Sequence, residues 1–483
     1  MTLRRRQFLG RIAELGSSAL VAPSLAGLAA WNHATPAEAR IAAAGRDRLL
    51  QAFGYGPLTP SRDAPELEIP ANFRCVRISQ ALRPAVGHPD LQVPNAFDGM
   101  AAFRLPNGHV RLIRNHEMTD GAATARPIGS PYYDAKADGG TTSLEVRIKG
   151  QGADRTVEVV DEFVSLAGTR VNCAGGPTPW GSWLSCEENC FGPTQGFDRP
   201  HGYVFEVPAS ATSAVAPVPL RAMGRFVHEA VAVDPATGIV YQTEDAWYNP
   251  EHTDHQPGAG CYRFRPRRRG RLAEGGRLQI MAVKGRPKYV TVRGQRAGAS
   301  LTVGWIDLED VDPAAAETDP SALLREGLSK GAAIFARLEG AWAADGGIYL
   351  VSTNGGDARA GQVFFYRPTS TDAGQLTLVF ESPSREVLDA PDNICATPRG
   401  GLLMCEDGGG DQYVRGLDRQ GRIIDLVRHR HHLGQAAPGE FAGACLSPDG
   451  EVLFFNVQGS STAAGTVASV SYALWGPWRS GPL

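Results

Sequence analysis

The chain is short of net charge and of every familiar catalytic signature. Its 48 lysines and arginines stand against 51 aspartates and glutamates, a formal balance of −3 over 483 residues. Nucleic acid and anionic membrane are set aside as main partners, because backbone binding calls for a basic surface. The basic run from Arg265 to Arg271 reads as a solvated loop. There is no Cys-x-x-Cys and no His-Glu-x-x-His, so zinc fits poorly, and no Gly-x-Ser-x-Gly elbow supports a Ser-His-Asp hydrolase. No phosphate-cradling Walker loop or dinucleotide fingerprint follows a strand, and no segment matches the roughly 20 apolar residues of a bilayer span. Eight cysteines in a chain of this length do not amount to a disulfide framework. Cys395, Cys405 and Cys445 lie in apolar, strand-like runs and are expected as buried thiols, while the spacing leaves a Cys186–Cys190 pair open.

What is present in excess is turn chemistry. With 57 glycines and 34 prolines, an all-β architecture is favoured over a helical one. One phrase recurs: an apolar run, a glycine turn, a second apolar run, then acidic or amide residues. Copies lie around turn glycines 108, 181, 238, 347, 401 and 450, and each reads as a β-hairpin. Repetition at a few tens of residues predicts a single propeller of about six blades, with stacked hairpins in a β-sandwich as the alternative. The long interval from 238 to 347 predicts an insertion carrying a helix near Pro320 to Lys330. Asp234, Asp345 and Asp449 sit inside turns and are expected as turn-formers. At the N-terminus, Arg5-Arg6-Gln7-Phe8-Leu9 precedes an Ala/Gly/Leu-rich stretch and the small-residue site Ala37-Glu38-Ala39. This resembles a twin-arginine export signal over residues 1–39, leaving 40–483 as one propeller domain with an N-terminal lead-in.

In a propeller, equivalent positions of different blades meet at the central channel. Asn115 and Glu117, Glu187 and Glu188, and Glu406 and Asp407 follow the second apolar run of three copies. Glu229, Glu339, Asn393 and Glu440 stand at the start of the first run in others. Carboxylates around one channel repel unless cations lie between them, so a polynuclear hard-metal site is expected. Oxygen-rich donors imply calcium, magnesium, manganese or ferric iron, and Cys173 would draw one position towards a transition metal. Cys173 and Glu188 fall within the dense stretch Val171 to Asn189, where Glu187 is expected in solvent or supporting its neighbour. Arg428-His429-Arg430-His431-His432 reads as an exposed polar loop rather than a metal trap.

Several phrases together resemble the PhoX-type alkaline phosphatases. They are Asn115-His116-Glu117, Cys173-Ala174-Gly175-Gly176 with Cys186-Glu187-Glu188, Gly224 to Ala230 around His228-Glu229, Cys405-Glu406-Asp407-Gly408, and Phe441-Ala442-Gly443 with Ser447-Pro448-Asp449-Gly450. The resemblance spans about residues 95 to 458. It implies an exported six-bladed propeller that hydrolyses phosphate monoesters with two ferric and three calcium ions, delivered to the periplasm or beyond by the twin-arginine machinery. On this resemblance Cys173 is the thiolate ligand to iron, and Glu188, Glu229 and Glu339 are the chief carboxylate ligands. Glu117, Glu406 and Asp407 are calcium ligands or their support. Separately, Asn115 and Asn393 are expected to bind the substrate. The attacking group is then a metal-bound oxo, hydroxide or water and no side chain. Glu339 lacks the proline that commonly precedes it in the family. A calcium-dependent propeller hydrolase of another class, a lactonase or phytase, and a non-catalytic exported metal-binding propeller stay open as alternatives.

Overall fold

The computed structural model describes residues 54–119, 129–430, 439–459, 461–462 and 465–483. The expected export signal, residues 40–53 and His431 and His432 lie outside them. All six glycine turns close hairpins. Their first strands are Phe97–Arg104, Asn172–Pro177, His228–Val233, Leu338–Ala344, Pro391–Ala396 and Phe441–Leu446. The respective partners are Val110–His116, Ser182–Glu187, Val240–Glu244, Gly347–Ser352, Leu402–Glu406 and Leu453–Val457, all antiparallel. In two turns the left-handed position falls one residue earlier than the spacing suggests. Gly346 and Gly400 adopt φ of 73° and 84°, which leaves Gly347 and Gly401 to begin or approach the second strand.

The six first strands pack side by side in chain order, and Phe441–Leu446 returns to Phe97–Arg104, which closes a propeller-like ring. These inner strands are almost wholly buried, and two glycines show how closely they approach. A Cβ on Gly176 would strike the Val231 carbonyl of the next inner strand, and one on Gly340 would strike that of Asp392. Outside the ring, apolar faces of neighbouring sheets fill the wedges between them. Leu112, Leu144 and Val146 meet Phe454, Ala473 and Trp475, for example, and Leu184 and Val204 meet Val231, Phe264 and Ile280. Each of the valine, leucine, isoleucine and phenylalanine side chains among them contributes about 1.5–3 kcal/mol when fully removed from water.

The sheets are not six independent units. Ser300–Asp307, from the long insertion, pairs with Gly276–Val283 on one side and Ala373–Glu381 on the other, joining two hairpin sheets into a nine-stranded one. The expected helix is present at Ala322–Ser329. In the lead-in, Leu58–Pro60 and Leu67–Pro70 form short strands that extend the sheet edge at Ile423–His429. Arg74–Gln80 pairs with Val470–Trp475, so an N-terminal strand completes the C-terminal sheet and ties the ring shut. All eight cysteines are free and buried, which answers the Cys186–Cys190 pairing in the negative.

Candidate metal centre

The site is built by one backbone irregularity used repeatedly. Pairing runs Phe97↔His116 then Met100↔Arg114, Asn172↔Glu187 then Gly175↔Ser185, and His228↔Glu244 then Val231↔Gln242. The same step occurs at Leu338↔Ser352 then Ala341↔Leu350, and at Pro391↔Glu406 then Ile394↔Met404. In each, the inner strand advances three residues while its partner advances two, which is a β-bulge that re-aims a side chain. The first bulged residues are Asp98, Cys173, Glu229, Glu339 and Asp392. In the sixth hairpin the bulge falls one residue later, between Ala442 and Cys445, and Ala442 stands where the others carry a donor.

A second tier lies just beyond the partner strands. Glu117, Glu188, Asp245, Thr353, Asp407 and Gln458 each donate a backbone N–H to the residue preceding an inner strand. The acceptors are the carbonyls of Ala96, Val171, Val227, Arg337, Ala390 and Glu440, at 2.8–3.3 Å. Four of these acceptor residues, Ala96, Val171, Arg337 and Ala390, hold φ between 43° and 52°, a strained left-handed conformation for residues other than glycine. The bulge tier is buried and the second tier is half-buried except at Thr353, which is buried, so the donors line a channel at two depths.

The two tiers meet at Cys173. One ligand atom each from Asp98, Glu117 and Cys173 lies within 4.8 Å of the others, and the same holds for Cys173, Glu188 and Glu229. Gln458 bridges the tiers by donating from Nε2 to Asp98 Oδ2 (2.6 Å) and Glu117 Oε2 (2.8 Å). Burial, then mutual repulsion, pushes Asp98, Glu188, Glu229, Glu339 and Glu440 well above the usual carboxylate range. Glu117 is also raised, chiefly by burial, and Asp392 reaches about 7 through burial and Asp407. Burial, with Asp98, Glu229, Glu188 and Glu117 around it, raises the Cys173 thiol. Asp98 Oδ1 and Glu229 Oε1 are buried without a hydrogen-bond partner among the described residues. Isolated buried carboxylate oxygens are costly. A thiol among clustered, orphaned oxygens therefore fits a group of cations bound between hard donors with one softer corner.

Arg337 is the cation that faces this crowd. Its Nε and Nη2 grip Asp245 (3.0–3.2 Å), Nη2 also contacts Glu339, and Asp407 lies 3.8 Å away. Burial works against its charge, but Glu339, Asp245 and Asp407 outweigh it and hold the guanidinium firmly protonated.

Of the residues expected from the sequence, Cys173, Glu117, Glu188, Glu229, Glu339 and Asp407 all reach the channel. Glu406 does not join them: its Oε1 accepts from Arg415 Nε (2.5 Å) and the Asp389 N–H (2.9 Å). Glu187 holds the equivalent place and is buried rather than solvated, accepting from the N–H groups of Arg170, Gly202 and Tyr203 and from His201. Asn115 donates to the carbonyls of Cys173 (2.9 Å) and Ala174 (2.7 Å) while its Oδ1 accepts from Trp183 Nε1 and Ser185 Oγ. All four of its hydrogen-bonding sites are thus engaged by protein, which leaves none for a substrate. Asn393 accepts from the Gly443 N–H and donates to Asp392 Oδ1, again bracing a bulge. Asp98, Asp245, Asp392 and Arg337 were not singled out in the sequence. A signal for them exists, since each stands at a fixed step from the start or end of its hairpin, but the hairpin turns differ in length and blur the register.

The family described as Alkaline phosphatase PhoX matches residues 53–461. No curated protein matches the chain. Among solved structures, Pseudomonas fluorescens PhoX in complex with vanadate, a transition state analogue, aligns over 89% of this chain and 99% of its own. Identity is 19% and the TM-score 0.62, a likeness of fold. Selenomethionine-substituted virginiamycin B lyase from Staphylococcus aureus aligns over 83% of this chain and 99% of its own at 11% identity, with a TM-score of 0.37. With the family match covering most of its length, the chain belongs to the PhoX alkaline phosphatase family.

Proposed function

We propose that the protein is an exported phosphatase that hydrolyses phosphate monoesters at a polynuclear iron and calcium centre in the channel, and that its six hairpins are the inner halves of six propeller blades. The observation that carries this reading is the convergence of Asp98, Cys173, Glu229, Glu339 and Asp392 from five successive bulges, with Cys173 shared between two donor groups. Cys173, Glu188 and Glu229 would hold iron, Asp98 and Glu117 lie beside them, and Glu339, Asp392, Asp407 and Glu440 would supply further ligands around the ring. When bound, such cations supply Lewis acidity and neutralise phosphoryl oxygens.

The chain's own residues then orient the ester. Asp245 fixes Arg337 through Nε and Nη2, which directs Nη1 as a donor for a phosphoryl oxygen. Thr353 occupies the rim where other hairpins carry a carboxylate or amide, and its hydroxyl donates to the Pro391 carbonyl (2.8 Å), so the rim beside Arg337 is free of one negative charge. An incoming phosphate dianion meets least repulsion there. Glu406 and Asn115 act at one remove, by holding the loop and the bulge that carry Asp389 and Cys173.

Export rests on the sequence of residues 1–39, and among the described residues no helix is long and apolar enough to cross a membrane. A panel of phosphomonoesters, phytate and lactones tests the reaction class. Turnover of simple monoesters in preference to phytate, itself a monoester of inositol, with none of lactones, lost on chelation and restored by added calcium and iron, is the expected result. Preferential turnover of phytate or a lactone would move the protein to the other hydrolase class, and no turnover by metal-replete protein would leave it a non-catalytic binder.

A further inference from the structure

Resting on the phosphatase reading, we infer that Trp247 is a stacking platform for the leaving group, and that the site favours phosphate monoesters whose leaving group is a planar aromatic ring. Three consecutive residues clamp Arg337. Asp245 binds its guanidinium, the Ala246 carbonyl accepts its backbone N–H (2.9 Å), and the Trp247 ring centroid lies 5.2 Å from its guanidinium carbon. The residue that presents a donor to the phosphoryl group therefore has an indole immediately beside it.

That indole is 53% exposed, although tryptophan is among the residues that bury the most surface in folded chains. It is also held in place. The Trp247 carbonyl accepts the Gly258 N–H (3.0 Å), and Tyr248 bridges to Pro257, so the residue stands at the closed neck of the loop rather than at its tip. A fixed, half-bare aromatic surface beside the Arg337 guanidinium stacks on a flat leaving group with little further loss of side-chain freedom. An alkyl leaving group has no π face to offer it. Stacking of this kind changes affinity by about tenfold or more per ring.

Isothermal titration of metal-replete protein with phenylphosphonate and methylphosphonate, which are not turned over, separates the ring from the phosphate. Wild-type protein is expected to bind phenylphosphonate about tenfold more tightly than methylphosphonate. Trp247→Ala should bring the ratio close to one, and Trp247→Phe should keep most of it. Equal weakening of both ligands in Trp247→Ala would assign Trp247 to holding Arg337 alone and overturn the inference, as would an unchanged ratio. Either result leaves the phosphatase reading standing. Wild-type protein that binds neither ligand would overturn that reading and the inference with it.

Discussion

Cys173 places a soft sulfur within 4.8 Å of two sets of hard oxygens, which once ionised repel one another unless a cation lies between them. That gives single substitutions opposite effects in the two states of the protein. If Glu229 is a ligand as proposed, Glu229→Gln should lower phosphomonoesterase activity beyond the roughly 10–100-fold typical of changes outside the ligand set. In metal-free protein at pH 8 the same change removes a buried carboxyl that Asp392, Glu188 and Glu339 oppose, and should raise the melting temperature. A melting temperature that falls in both states would contradict the crowding account. Asn115→Ala should act through structure. It strands the carbonyls of Cys173 and Ala174 and the indole N–H of Trp183, and is expected to cost about 2–4 kcal/mol in urea unfolding. A loss under about 0.5 kcal/mol would show that these bonds do not brace the bulge.

At the scale of the hairpin, strand alternation decides which member of an acidic pair faces the channel. Glu187 and Glu406 end their strands, paired with Asn172 and Pro391, and turn to the backbone N–H groups of Arg170 and Asp389. Glu188 and Asp407, one residue on, belong to the rim. Asp407→Asn should therefore reduce the metal bound per chain, while Glu406→Gln should leave it intact. The latter breaks a buried pair with Arg415 and should destabilise by about 3–5 kcal/mol. Elemental analysis beside chemical unfolding separates the two, and equal metal loss in both variants would refute the alternation argument. This is also where the sequence was least legible. The acids themselves stand out because they interrupt apolar runs, and the dense Cys173 to Glu188 stretch marks its own importance. A bulge, however, inserts one residue without any compositional mark, so Asp98 and Asp392 look like ordinary strand-end residues. Asn115 and Asn393 look like substrate donors until their partners are seen.

Across the whole molecule, the repeat of glycine turns was enough to find six hairpins and the helix of the insertion. It did not show that the insertion strand Ser300–Asp307 fuses two sheets, or that Arg74–Gln80 closes the C-terminal sheet, because those pairings join residues far apart in sequence. The channel sums the charge of every hairpin, so its consequence appears in global stability. Asp98, Glu117, Glu188, Glu229, Glu339, Asp392 and Glu440 all have raised values in the metal-free fold. Above the unfolded carboxylate range, near 4.5, the folded chain therefore holds more protons than the unfolded one, and stability falls as pH rises. Metal-free protein should begin to lose stability above about pH 4.5 and go on losing it through the titration of Asp392 at about 7 and of the carboxyls raised well above their usual range, and metal-replete protein should not. Parallel profiles with and without chelator would contradict this.

The central claim is that one thiol and a double ring of carboxylates exist to hold several cations at once. Metal content per chain, measured by inductively coupled plasma mass spectrometry on protein purified without chelator, tests it most directly. The account predicts more than one cation per chain, iron and calcium among them, with both reduced together in Cys173→Ala and Glu229→Gln. Protein that carries no stoichiometric metal and still hydrolyses a phosphate monoester would contradict it.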